Sequence, residues 1–279
     1  MRFAKTHGAG NDYVYINGMA EAIAAPEKLA VRMSDRHFGI GSDGLVLILP
    51  SERADFRMRM FNADGSEAQM CGNASRCIGK YVYDNGLTDK EEITLETAAG
   101  IKVLRLTVKA GKVVSVRVDM GEPVLEPRRI PVALSGERAV NVPLTVGTTT
   151  YRMTCVSMGN PHAVIFVLRL DDIDIHAVGA AAERHELFPE RCNIEFAEIV
   201  SPDAIRMRVW ERGAGETLAC GTGACATLVA AVLNGLTARR AVLRLLGGDL
   251  DIEWNAADNH VYMSGGAETV FEGEWLLGQ

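Results

Sequence analysis

From residue 56 the chain reads F-R-M-R-M-F, and I-R-M-R-V-W repeats that alternation at 205–210. Period-two alternation of apolar and charged positions predicts a strand with one buried face. A turn follows each run, N-A-D-G-S in one copy and E-R-G-A-G in the other. Gly, Asn and Asp are the residues that turn a chain. Each copy then gives Cys-Gly, Cys71–Gly72 and Cys220–Gly221, and changes to a helical pattern. Asn73 and Thr222 suit the N-cap or first turn. The second helix, A-C-A-T-L-V-A-A-V-L, is small and apolar almost throughout, so it is expected to be buried on most sides. Both helices stop at Asn-Gly, residues 85–86 and 234–235, a C-terminal capping signal. Strand-like runs resume afterwards, I-T-L-E-T and I-K-V-L-R-L-T-V in one half, A-V-L-R-L-L and L-D-I-E-W in the other. Each half is therefore expected to be an α+β unit, many strands around one central helix.

The two patterns are one pattern repeated. Shifted by 149 positions, Phe56–Thr88 falls on Ile205–Thr237 without gaps. Ten of the 33 pairs are identical, including Arg59/Arg208, Glu67/Glu216, Cys71/Cys220, Asn85/Asn234 and Gly86/Gly235. Average residue usage predicts roughly two. The same shift lays Gly10–Asn11 on Gly159–Asn160. Two copies mean two homologous domains rather than a solenoid. Boundaries are expected at residues 1–120 and 121–265, with the crossing in G-E-P-V-L-E-P-R-R-I-P-V. The closing strand A-E-T-V-F-E-G-E-W lies beyond the repeat, and residues 266–279 are expected to return to the first domain.

Composition narrows the function. The chain has 279 residues, enough for two domains, with 48% hydrophobic and 23% charged residues. A net charge of -7 argues against nucleic acid as a partner. No apolar run reaches the length of a membrane span, and the start M-R-F-A-K-T-H-G has no signal-peptide core, so a cytoplasmic protein is expected. Six cysteines without C-x-x-C spacing read as reduced thiols, not as a zinc site or a disulfide framework. No metal site or cofactor is expected. Gly39-Ile-Gly41-Ser-Asp-Gly44 fits G-x-G-x-x-G, but the strand-like L-V-L-I-L comes after it, the wrong order for a dinucleotide site.

The paired Cys-Gly sites carry the chemistry. A thiol at a helix start feels the positive end of the dipole, which is expected to lower its pKa. The first N–H groups can hold a carboxylate. Two such thiols acting on one carbon suit removal of a proton from one face and return of a proton to the other. Either cysteine alone would read as a buried small hydrophobe; the matched pair favours function. Cys77, Cys155, Cys192 and Cys225 have no matched partner and are expected in the core.

These residues, with H-G-A-G-N-D-Y at 7–13, F-N-A-D-G-S-E at 61–67, G-N-P-H-A-V at 159–164, R-C-N-I-E-F at 191–196 and W-E-R-G-A-G-E-T-L-A-C-G-T-G-A-C-A at 210–226, resemble the diaminopimelate epimerase family nearly end to end. The resemblance implies two pseudo-symmetric domains, each a curled, mostly antiparallel sheet around a helix. It implies a racemase-type isomerase that needs no pyridoxal phosphate and converts LL-2,6-diaminopimelate to the meso form, in lysine and cell-wall precursor synthesis. Cys71 and Cys220 would be the two acid/base groups. His162 and Glu211 would help them exchange protons. The N–H groups of Gly72, Asn73, Gly221 and Thr222 would receive the α-carboxylate. Asn11, Asn62, Asn160, Asn193, Glu211 and Arg212 would contact the rest of the substrate, and the partner of the chain would be a second copy of itself. Gly44 stands where the family often has glutamine and supplies no side chain; Ala74 stands where glycine is common. Three other functions compete. A proline racemase shares the mechanism but has histidine where this chain has Asn73. A redox dithiol would place its cysteines close in sequence. A non-catalytic binding protein would need neither thiol.

Overall fold

The alternating run forms a strand, Phe56–Asn62, with Phe56, Met58 and Met60 buried and Arg57 exposed. Its counterpart is Ala204–Glu211, with Ile205, Met207 and Val209 buried. In this computed structural model, which describes residues 1–276, the chain divides into Met1–Asp119 together with the chain from Ser264 on, and Met120–Met263.

In the first unit the strand order is Glu268–Glu274, Arg2–Gly8, Asn11–Asn17, Gly44–Leu49, Phe56–Asn62, Glu92–Thr97, Gly100–Lys109 and Lys112–Gly121. Two neighbouring pairs are parallel, Asn11–Asn17 with Gly44–Leu49 and Phe56–Asn62 with Glu92–Thr97. Parallel neighbours need a crossover. The helices α1 (Pro26–Ser34) and α2 (Gly72–Asp84) make the two crossovers. The segment 39–44 runs directly into the strand Gly44–Leu49. Helix α2 contacts both Arg2–Gly8 and Gly100–Lys109, strands far apart in the order, so the sheet curls around it.

The second unit repeats this plan. Its order is Val142–Val146, Thr149–Ser157, Pro161–Phe166, Asn193–Ser201, Ala204–Glu211, Arg240–Leu245 and Gly248–Trp254. The parallel pairs are again the two spanned by helices, α3 (Ile175–Glu183) and α4 (Gly221–Leu233). Helices α1 and α3 begin and end 149 residues apart, as do α2 and α4. The duplication thus includes a helix per half that the sequence comparison did not reveal. Asp174 caps α3 by accepting from the Ala177 N–H at 3.0 Å. Pro26 starts α1, where its missing N–H costs nothing.

Several duplicated residues are explained by structure alone. Arg59 and Glu67 form a two-pronged ion pair at 2.8 and 2.9 Å; Arg208 and Glu216 form the same pair at 2.6 and 3.0 Å. Each clamps a short returning strand onto the strand before the helix. At the helix ends, Leu87 N–H reaches Val82 O and Leu236 N–H reaches Ala231 O, both at 2.9 Å. Gly86 and Gly235 sit at φ +70° and +69°, closing a Schellman motif that any side chain would strain. Helix α4 is buried at Gly221 and from Gly223 through Ala231. Each fully buried Leu228 or Val229 contributes about 1.5–3 kcal/mol.

Candidate active site

Cys71 and Cys220 occupy the N-caps of α2 and α4, in extended backbone at φ -140° and -120°. The cap is therefore the cysteine itself, and Asn73 and Thr222 fall in the first turn. The first helical bonds run from Ser75 and Ala224 back to Cys71 O and Cys220 O. The N–H groups of Gly72, Asn73, Gly221 and Thr222 thus precede the helical hydrogen-bond ladder, as an anion site requires.

In the first unit, Cys71 Sγ donates to Asn11 Oδ1 at 3.4 Å, and Asn73 Nδ2 donates to the same oxygen at 3.3 Å. Asn11 Nδ2 donates to Asp43 Oδ2 at 2.8 Å. Asp43 and Asp12 share Arg36, at 3.0 and 3.1 Å, and Lys5 pairs with Asp12. Burial and the nearby Asp12 charge push the Asp43 carboxyl up. Burial also acts to raise Asp12, but the hydrogen bonds from Lys5 and Arg36 win and hold it low. This network fixes the Asn11 amide with its oxygen toward the thiol. The Asn62 side chain bonds elsewhere. Its Nδ2 donates to Ser66 Oγ at 3.0 Å within its own turn.

In the second unit, the Cys220 sulfur accepts from Gly223 N–H at 3.3 Å and lies 3.4 Å from Thr222 Oγ1. The expectation of a lowered pKa fails here. Burial pushes the Cys220 thiol well up, and the Glu211 and Glu195 carboxylates add to the rise, outweighing the hydrogen bonds from Thr222 and Gly223. The helix start cannot offset removal from water beside two anions. Glu211 hydrogen-bonds both Thr217 and the Cys220 thiol, and burial pushes its own carboxyl up. His162 is fully buried, with Nδ1 2.6 Å from Glu195 Oε1 and Nε2 3.0 Å from Asn160 Oδ1. Both ring nitrogens are committed, and Glu211 is the carboxylate within hydrogen-bond reach of the thiol. Glu195 was not found by sequence reasoning. Its signal was a carboxylate two residues after Asn193, in a strand that is buried from Asn193 through Ala197.

Asn193 donates to Pro161 O at 2.9 Å and accepts from Arg212 N–H at 2.9 Å. It thereby sets the turn that carries Arg212. The Arg212 guanidinium is exposed and donates to Glu190 O at 3.0 Å. Glu183 holds the same turn, accepting from Trp210 Nε1 at 2.9 Å and Gly213 N–H at 3.1 Å. Asn11, Cys71 and Asn73 are thus brought together in one unit, and Asn160, His162, Glu211, Cys220 and Thr222 in the other. Among the described residues no helix is long and apolar enough to cross a membrane.

The sequence model of the diaminopimelate epimerase family matches residues 3–126 and 154–270. The diaminopimelate epimerase of Acetivibrio thermocellus is 60% identical over 274 residues, 98% of each chain. That of Desulfovibrio desulfuricans is 60% identical over 283 aligned positions, 99% of each chain. In fold, the chain is similar to a probable proline racemase from Agrobacterium radiobacter, with TM-score 0.72 at 17% identity, covering 99% of this chain and 93% of that one.

Proposed function

The chain belongs to the diaminopimelate epimerase family, and from that membership we infer that it interconverts LL- and meso-2,6-diaminopimelate without an added cofactor. The observation that carries the mechanism is the pair of cysteines, each at the N-cap of the buried helix of one repeat. One thiolate removes the α-proton, and the other thiol delivers a proton to the opposite face. The N–H groups at the two helix starts hold the α-carboxylate and stabilise charge as the carbanion forms. Cys220, kept protonated by burial and its two carboxylate neighbours, is suited to be the resting proton donor, with Glu211 exchanging its proton. Arg212, with Asn62, Asn160 and Asn193, takes the distal end of the substrate; its planar fork matches a carboxylate. On the same family grounds we assign a cytoplasmic homodimer in lysine biosynthesis.

The test is the fate of deuterium. LL-Diaminopimelate incubated with purified protein in heavy water should give inverted product labelled at the new centre, while recovered substrate stays unlabelled early in the reaction. Cys71→Ala and Cys220→Ala should each stop inversion in both directions, since each direction uses one thiol as base and the other as acid. Equal early labelling of substrate and product, or a Cys220→Ala variant with parent activity, would overturn the two-thiol assignment. Rapid turnover of proline in place of diaminopimelate would favour the proline racemase reading instead.

A further inference from the structure

We propose that Glu195 is a positioning residue: bonded to Nδ1, it holds the His162 ring with a proton on Nε2, so that Nε2–H donates to Asn160 Oδ1 and fixes the Asn160 amide with its NH2 turned away from the ring. Only the last step, use of that NH2 by an anionic substrate, rests on the epimerase reading.

Several observations converge. Glu195 and His162 are both completely buried, 2.6 Å apart. The second carboxylate oxygen, Oε2, has no hydrogen-bond partner among the described residues. A carboxylate removed from water must be balanced nearby. The other groups that face the pair are the Cys155 and Cys192 thiols, Cys220 at the start of α4, and Glu211 on the neighbouring strand. None of these is a cation, and the Arg212 guanidinium, which acts on Cys192, is exposed, so His162 is the group that meets the buried carboxyl. At the far side of the ring, Asn160 presents an oxygen, which accepts and cannot donate, so Nε2 must carry a proton. Finally, a Cβ on Gly223 would lie 2.7 Å from Glu195 Oε1, so the carboxylate is packed tightly against α4 and its position is set by the fold.

The sequence Glu195–His162–Asn160 is therefore a relay of orientation rather than of protons. Without the carboxylate, the imidazole proton would be free to sit on Nδ1 instead of Nε2. A bare Nε2 would then recruit the Asn160 NH2, flipping the amide and presenting its oxygen outward. An oxygen repels the carboxylate that an NH2 would bind.

The full-length protein, labelled with ¹⁵N in its six histidines, gives the direct test by long-range ¹H–¹⁵N correlation without substrate. His162, assigned by loss of its signals in His162→Gln, should show a proton on Nε2. In Glu195→Gln, whose amide oxygen accepts from Nδ1–H, Nε2 should be bare. Kinetically, Glu195→Gln should raise KM for LL-diaminopimelate at least about tenfold, with kcat changed much less. A bare Nε2 on His162 in the parent, or a Glu195→Gln variant with the parent spectrum and KM, would overturn the proposal. If Glu195→Gln does not fold, the parent spectrum alone decides. If the parent turns over no diaminopimelate, the epimerase reading fails while the spectra still judge the relay.

Discussion

Six thiols of one chemistry are sorted by their surroundings. Burial pushes Cys77 and Cys155 up to about 12 and holds Cys192 and Cys220 well above the ordinary thiol range. Cys71 is the one that is only half buried. Iodoacetamide at neutral pH should therefore modify Cys71 first, with activity lost in step, as peptide mapping would show. Glu211 gives a signed pH prediction. Burial raises its carboxyl, so as pH falls the ionised form is lost earlier than for an ordinary glutamate. The acid limb of kcat should lie above the usual carboxylate range and vanish in Glu211→Gln. A raised carboxyl favours folding below its unfolded pKa, and that contribution is lost as pH rises through the folded pKa. Glu211→Gln should then melt higher than the parent at pH 7 while turning over little substrate. At the proposed distal clamp, Arg212→Lys keeps the charge but loses the fork. KM should rise about tenfold or more, the cost of a bidentate contact to a charged group, with an unchanged melting temperature because the side chain is exposed. The cysteines, His162, Glu211 and Arg212 were legible because motif and duplication singled them out. Glu195 was not, because a charged residue in an alternating strand reads as a solvated face until the sheet covers both sides.

Among elements, the two buried helices separate stability from chemistry by position. Gly86→Ala and Gly235→Ala each place a Cβ in left-handed backbone with nothing within 4 Å. Each should cost about 1–2 kcal/mol in denaturant unfolding and leave kcat intact. Gly223→Ala, at the other end of α4, should do the opposite kind of damage. Its Cβ would meet Glu195 Oε1 at 2.7 Å and Cys220 Sγ at 3.2 Å, so activity should fall further than stability. The strands and helices around Cys-Gly were readable because alternation and Asn-Gly stops are local signals. Helices α1 and α3 escaped because their sequences, P-E-K-L-A-V-R-M-S and I-H-A-V-G-A-A-A-E, share no identical pair under the shift. What the halves retain there is a topological need: a parallel neighbour requires a crossover, whatever residues make it.

At the scale of the whole chain, the first unit is closed by its last strand. Glu268–Glu274 pairs along Arg2–Gly8, and Phe271 meets Phe3 edge-on at 5.9 Å between ring centres. Deleting residues 267–279 should strip amide-exchange protection from Arg2–Gly8 and its neighbours while Pro161–Phe166 and Ala204–Glu211 stay protected. Loss of protection in both units together would show that they do not unfold separately. Sequence periodicity carried the repeat because both copies kept its landmarks; the closing strand was expected in the first domain only because it lies beyond the repeat, since no local pattern names its partner strand. A ribosome meets this arrangement in a fixed order. The first unit's opening strands are made earliest, yet their partner is made last, after all of the second unit has been synthesised. Throughout that interval Arg2–Gly8 presents a bare edge with Phe3 uncovered, an invitation to pair with another nascent chain. The half that is translated first can only finish folding second, once its closing strand has left the ribosome.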